Sequence, residues 1–162
     1  MPKKEETWRP RSMPTLLITT AARLLSRIAD TRLRELGISV SQLPVIVALK
    51  NGQRLAQKEL ARQTGVEQPS MAQLLARMER DGLIERTPDP KDGRSSLVSL
   101  TERARAGLPD LRRALDAGSE AVLEGFSADE VETLLRLMRR LNENLDRMLE
   151  KELAQEPVDV EA

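Results

Sequence analysis

The sequence predicts a mainly α-helical fold carrying one small β-hairpin, and three observations support this. Hydrophobic residues make up 40% of the 162, yet aromatics are only 1%, Trp8 and Phe126 with no tyrosine. A core of Leu, Ile, Val, Met and Ala suits helix packing, whereas strand-rich proteins lean on aromatic and β-branched side chains. Apolar residues recur at helical spacing over four long stretches, and strand-like runs occur only between residues 83 and 100.

In chain order, residues 1–12 are polar, contain two prolines and lack periodicity, and read as a flexible arm with Trp8 as an anchor or as plain disorder. From Met13 to Leu36, Leu17, Leu24, Leu25, Ile28, Leu33 and Leu36 recur at helical spacing, and Gly37 is a fitting stop. A second helix runs to about Lys50 and closes at Asn51-Gly52. Ser39 with Gln42 matches a capping box, but Ser41 is the preferred start because it keeps Pro44 inside the first turn. Toward the other end, Thr101–Gly125, with Pro109 inside it, and Ser127–Leu153 read as two long amphipathic helices. Ser127-Ala128-Asp129-Glu130 matches a capping box between them. These helices display more apolar length than one copy of the remaining residues covers, so a symmetric homodimer is expected, with a monomeric bundle as the competing reading.

The central stretch carries the densest signal. Counting from Gln57, Leu60 and Ala61 are apolar, Gly65 stands ninth, Val66 tenth, Met71 fifteenth and Leu74 eighteenth. A small Ala61 allows two helices to cross closely, Gly65 supplies the left-handed turn, and Val66, Met71 and Leu74 fill the wedge between them. Pro69 is tolerated in the first turn of the second helix, where Glu67 can cap. Met71, Leu74, Leu75 and Met78 then point inward, leaving Ser70, Gln73 and Arg77 together on the outer face. That face is either an ordinary solvated one or one shaped for a major groove, where Gln73 suits a bidentate contact to adenine and Ser70 and Arg77 reach base edge or phosphate.

Gly82 ends this helix. Leu83–Thr87 and Ser96–Leu100 read as strands joined by Pro88–Arg94, with Asp92-Gly93 as the tight-turn dipeptide. A hairpin tipped with Lys91 and Arg94, directly after a helix-turn-helix, is a wing, and its basic tip can straddle phosphates and place Arg94 in a minor groove. The expected architecture is therefore a winged helix-turn-helix over residues 38–100. A helical dimerisation region of residues 13–36 and 101–154 accompanies it, and residues 155–162 form a flexible acidic tail.

Composition removes alternatives. With neither His nor Cys there is no imidazole acid–base catalysis, thiol chemistry, disulfide or ordinary zinc site. No cofactor or metal is expected, and no Gly-rich phosphate loop or isolated carboxylate pair supports an enzyme. The absence of a long apolar run and of a signal-like N-terminus leads us to expect a cytoplasmic protein without a membrane partner. Net charge is zero, but residues 1–53 hold nine basic against four acidic side chains, 54–105 ten against eight, and 106–162 seven against fourteen. A basic front and an acidic back are compatible with DNA binding.

From Gly37 through Leu100 the chain resembles the MarR/SlyA family of regulators. The resemblance rests on Glu59-Leu60-Ala61, Gly65-Val66-Glu67-Gln68-Pro69-Ser70, Gly82-Leu83-Ile84-Glu85-Arg86 and Asp89-Pro90-Lys91-Asp92-Gly93-Arg94, followed by Leu100-Thr101. It implies a winged-helix homodimer, joined through its terminal helices, that binds a pseudo-palindromic double-stranded operator. It further implies a repressor released by a small aromatic acid or phenolic ligand. The implied DNA-binding residues are Gln68, Pro69, Ser70, Gln73, Arg77, Lys91, Asp92 and Arg94, with Asp92 orienting Arg94. Relatives often carry Arg where Gln73 stands, and Asp-Arg-Arg where this chain has Asp92-Gly93-Arg94, which favours adenine over guanine contact and weakens phosphate anchoring. An anionic ligand in a pocket between the dimer helices and the winged lobe would want Arg23 or Arg27, the alternative being ordinary ion pairs. A winged-helix module that binds protein rather than DNA is the other functional reading.

Overall fold

The computed structural model describes residues 13–153, apart from the side chains of residues 93 and 94. Trp8 with the rest of the N-terminal arm, and the acidic tail, lie outside the described residues. The elements run α1 (Pro14–Leu33), α2 (Leu43–Leu49), β1 (Leu55–Ala56), α3 (Gln57–Thr64), α4 (Gln68–Arg80), β2 (Ile84–Asp89), β3 (Asp92–Leu100), α5 (Glu102–Val122) and α6 (Ala128–Leu153). No described helix is long and apolar enough to cross a membrane.

Proline at the start of α1 loses nothing, since the first N–H groups of a helix have no internal partner. The α-helix stops three residues earlier than its apolar period suggests. Arg34–Leu36 tighten into a 3-10 turn, and Gly37 at φ 67° turns the chain so that the Ile38 N–H reaches the Leu33 carbonyl at 3.2 Å. The expected start of α2 at Ser41 is corrected. Ser39 forms the capping box, with its N–H donating to Gln42 Oε1 at 2.9 Å, and heads a 3-10 turn over Val40–Gln42. That extra turn places Pro44 in the first turn of α2, so the box and the proline are both accommodated.

The strands form one antiparallel sheet in the order β1-β3-β2. Sequence reading anticipates two strands and misses β1, whose two residues pair Leu55 with Val98 and Ala56 with Leu97. So short a segment has no periodicity of its own. The β2–β3 hairpin is longer than expected, pairing Ile84 with Leu100 at its base and Asp89 with Asp92 at its tip. Pro90 and Lys91 therefore make the turn, and Asp92-Gly93 belong to β3. The Asp89 carboxylate closes it by accepting the Lys91 N–H at 2.8 Å, a local side-chain bond that competes well with the expected dipeptide. Pro88 is tolerated because β2 is an edge strand with a register shift at that point.

Two compact units result, one ending at Gly118 and the other beginning at Ser119. The first holds the core: Leu33 of α1, Val45, Ile46 and Leu49 of α2, Leu60 of α3, the inner row of α4, Ile84, Val98 and Leu100 of the sheet, and Leu111 of α5. On α1, Leu16, Leu17, Leu24, Leu25 and Ile28 remain exposed. The second unit contains α6, opened by the Ser127–Glu130 box: Ser127 N–H donates to Glu130 Oε2 at 2.8 Å and Glu130 N–H to Ser127 Oγ at 3.3 Å. The Ser127 backbone N–H, and after it the Ser127 hydroxyl, hold the Glu130 carboxyl below the usual range. Along α6, Leu134, Leu135, Leu137, Leu145, Met148 and Leu149 are exposed.

Candidate nucleic-acid interface

The turn between α3 and α4 is built by backbone requirements. Gly65 sits at φ 67° with open space where a side chain would go, so glycine is needed for conformation and not for clearance. The Val66 N–H closes back on the Ala61 carbonyl at 3.2 Å, and Ala61 is buried where α3 meets its neighbours. At the head of α4, Glu67 occupies the cap position but its side chain makes no capping bond, contrary to the sequence expectation. Its carbonyl accepts the Met71 N–H at 2.8 Å, and Pro69 pre-sets the first turn.

Met71, Leu74, Leu75 and Met78 are buried, and Gln68, Pro69, Ser70, Gln73 and Arg77 are exposed. At 3.6 residues per turn the residues opposite the buried row are Pro69, Gln73, Ala76 and Arg80, with Ser70 and Arg77 on one shoulder. Arg77 lines a polar cleft of about 470 Å³ together with Asp30, Arg34, Ser39 and Gln42, on the side of α4 toward the α1–α2 junction. Gln73 is thus central and Arg77 lateral. Sequence reading passes over Ala76, an exposed residue small enough to let another surface approach the helix closely. The helical period alone would have found it.

On α3, Arg62 donates to Glu59 at 2.6 Å and Gln63 to the same oxygen at 2.7 Å. These two donors hold the Glu59 carboxyl down at about 2, so the Arg62 charge is matched locally. Lys58 is exposed on the same helix.

In the hairpin, Lys91 is exposed at the turn and Asp92 is exposed at the start of β3. Arg94 lies in β3 two residues after Asp92, and its side chain is outside the described residues. Arg86 of β2 reaches Glu79 of α4 at 3.2 Å, tying the hairpin to the helix.

The far end of α4 is held at several points. Gly82, at φ 69°, lets the Leu83 N–H return to the Met78 carbonyl at 2.9 Å. The Thr101 hydroxyl donates to the Gly82 carbonyl at 2.8 Å, and the Arg103 guanidinium donates to the Asp81 carbonyl at 2.6 Å. Beside this junction, within the first unit, lies a cleft of about 440 Å³ walled by Leu36, Ile38, Ile46, Leu83, Leu108 and Leu111, with Arg103 among its polar residues. Arg23 and Arg27, the expected ligand arginines, are exposed on α1 and line neither this cleft nor the polar one.

Residues 36–95 match the model of the MarR family. The chain is 27% identical over 126 residues to the uncharacterized HTH-type transcriptional regulator YybA of Bacillus subtilis, covering 78% of this chain and 84% of that one. The transcriptional regulator SlyA shares the fold with a TM-score of 0.77 at 23% identity, over 85% of this chain and 98% of that chain. A MarR variant from E. coli, solved in complex with operator DNA, matches with a TM-score of 0.71 at 25% identity, over 77% of this chain and 90% of that one. The helix-turn-helix, the three-stranded wing and these likenesses agree: residues 36–95 are similar to the MarR family, and the chain shares the winged-helix fold of its solved members.

Proposed function

We propose that the protein is a repressor that binds a pseudo-palindromic operator as a homodimer and lets go when a small aromatic acid or phenol binds. The observation that carries the reading is the division of α4 into a buried apolar row and an outer face with Gln73 at its centre, followed directly by a hairpin with exposed Lys91 at its tip. In this reading α4 enters the major groove, where Gln68, Pro69, Ser70, Gln73 and Ala76 meet base edges and sugars and Arg77 reaches a flanking phosphate. Lys91 and Arg94 follow the backbone into the minor groove, with Asp92 orienting Arg94. The MarR variant bound to operator DNA supports it by likeness of fold.

The homodimer is supported by the apolar side chains that α1 and α6 each leave exposed, since long rows of this kind mark association surfaces. The 440 Å³ cleft is of the size that takes a one- or two-ring molecule. Titration of the purified protein against its own promoter region at two salt concentrations tests the core of this reading. Affinity well above that for unrelated DNA, falling with salt, is expected. Equal binding to unrelated DNA, or none to either, rejects it and leaves a protein-binding winged helix.

A further inference from the structure

The hairpin is joined to α4 beyond the Gly82 turn by the ion pair of Arg86 with Glu79. At 3.6 residues per turn Glu79 falls on the shoulder of α4 opposite Arg77. Its carboxylate accepts the Arg86 Nε–H at 3.2 Å, with the Glu79 side chain 46% exposed and that of Arg86 28%. Arg86 stands where the hairpin leaves the core. Its register partner Val98 and the preceding inward residue Ile84 are buried, whereas Pro88, Pro90 and Lys91 beyond it are exposed.

We propose that Glu79 and Arg86 are positioning residues that prop the hairpin against α4, fixing the distance between the groups that enter the major groove and those that reach the minor groove. The inference deepens the DNA-binding reading given above and rests on it. Its physical basis is leverage. The hairpin is pinned at its base, where Ile84 pairs with Leu100 and the Thr101 N–H donates to the Leu83 carbonyl at 3.1 Å. From Ile84, Arg86 lies about 7 Å along the strand and Lys91 about 24 Å, at about 3.4 Å per residue. Play of about 1 Å at the pair therefore becomes about 3 Å at the tip, half the width of a minor groove of about 6 Å.

The pair also sorts the cations of this region. Glu79 holds the Arg86 guanidinium on the shoulder of α4, which leaves Lys91 and Arg94 as the basic groups of the hairpin that meet phosphate. A partly exposed pair adds little to folding stability. Its effect is expected in the preorganisation of the two DNA-contacting parts, since fixing a bound geometry in advance lowers the cost of association.

The experiment uses the full chain and compares E79Q, R86Q and the exchanged pair E79R/R86E, reading the ratio of affinities for its own promoter region and for unrelated DNA. Charge alone moves both affinities together, upward in E79Q and downward in R86Q, and leaves their ratio unchanged. Loss of a prop lowers the ratio in both variants, by roughly 3- to 10-fold, and the exchanged pair should restore it to within about 2-fold. In a K91A/R94A background, where the tip has lost its cations, E79Q and R86Q should change the ratio by less than about 2-fold. An unchanged ratio in the two single variants overturns the proposal, as does an equal loss in the K91A/R94A background.

A measurement without DNA separates this proposal from the reading it rests on. The chain has no cysteine, so K58C/K91C takes two spin labels, one on α3 and one at the hairpin tip, and excess unlabelled chain isolates the distance within one protomer. E79Q and R86Q should broaden that distance distribution by about 3 Å, and a width equal to that of the parent K58C/K91C chain overturns the prop. An unaltered protein that does not discriminate its promoter region rejects the repressor reading, while the distance distribution still decides the role of Glu79 and Arg86.

Discussion

Replacing Gly82 with alanine probes the junction where α4, the sheet and α5 meet, and Gly65→Ala supplies its control. Both glycines sit in the left-handed region, at φ 69° and 67°. An L-residue there costs roughly 1–2 kcal/mol, because Cβ crowds the carbonyl oxygen. At Gly65 the conformational cost is the whole cost, since nothing lies within 4 Å of the added methyl group. At Gly82 the methyl group meets Arg103 Nη2 at 3.0 Å, so the guanidinium must give by a few tenths of an ångström, which strains its 2.6 Å bond to the Asp81 carbonyl. A bond of this kind at an exposed position contributes about 1 kcal/mol. Urea unfolding at one protein concentration should therefore place Gly65→Ala about 1–2 kcal/mol below the unaltered protein and Gly82→Ala lower still, by up to about 1 kcal/mol. In an R103M background the gap between the two substitutions should close, because the colliding group and its bond are both gone. Equal destabilisation by the two substitutions in the unaltered background, or a gap that persists in R103M, would refute the reasoning.

Further expectations concern the recognition face, the core and acid. Gln73→Ala should relax discrimination at one base pair per half-site by about 1–3 kcal/mol, measured on single-substituted operators; an unchanged preference removes Gln73 from base readout. Arg94→Ala should weaken binding to all sequences and lower the slope of log affinity against log salt by about 1 per protomer, and an unaltered slope takes Arg94 off the backbone. Leu75→Ala removes a side chain that is 0% exposed beneath the recognition face; unfolding should become easier by about 2–5 kcal/mol, and a loss under about 1 kcal/mol would mean that α4 is not seated on this core. The Glu59 carboxyl is held at about 2 against an ordinary 4.5. A lowered carboxylate contributes stability above its unfolded value and loses it as pH falls toward the folded one. The stability of E59Q should therefore fall less steeply than that of the unaltered protein between about pH 5 and about pH 3, and parallel curves would show that the bonds from Arg62 and Gln63 do not persist in solution.

The sequence by itself determined the long helices, the helix-turn-helix and the position of the wing. Each of these is written in local periodicity or in a residue with a single conformational use, such as Gly65 at its left-handed turn or Ser127 with Glu130 at the head of α6. It also isolated Gln73 on the outer face of α4, because a helix repeats every 3.6 residues wherever it lies. Tertiary structure decided whatever depended on partners distant in the chain. The pair Leu55-Ala56 becomes a strand only because β3 offers it an edge. The hairpin turns at Pro90-Lys91 because the Asp89 carboxylate reaches the Lys91 N–H, and Ser39 heads α2 through a 3-10 turn that reconciles its box with Pro44. The choice of arginine shows the difference most plainly. A helical pattern makes Arg23 and Arg27 as eligible as any other cation, and only folding brings Arg103, more than twenty residues beyond Asp81, over the end of α4 and beside an apolar cleft. Periodicity orders residues along one element, while a cleft and its charge arise from three or four elements meeting.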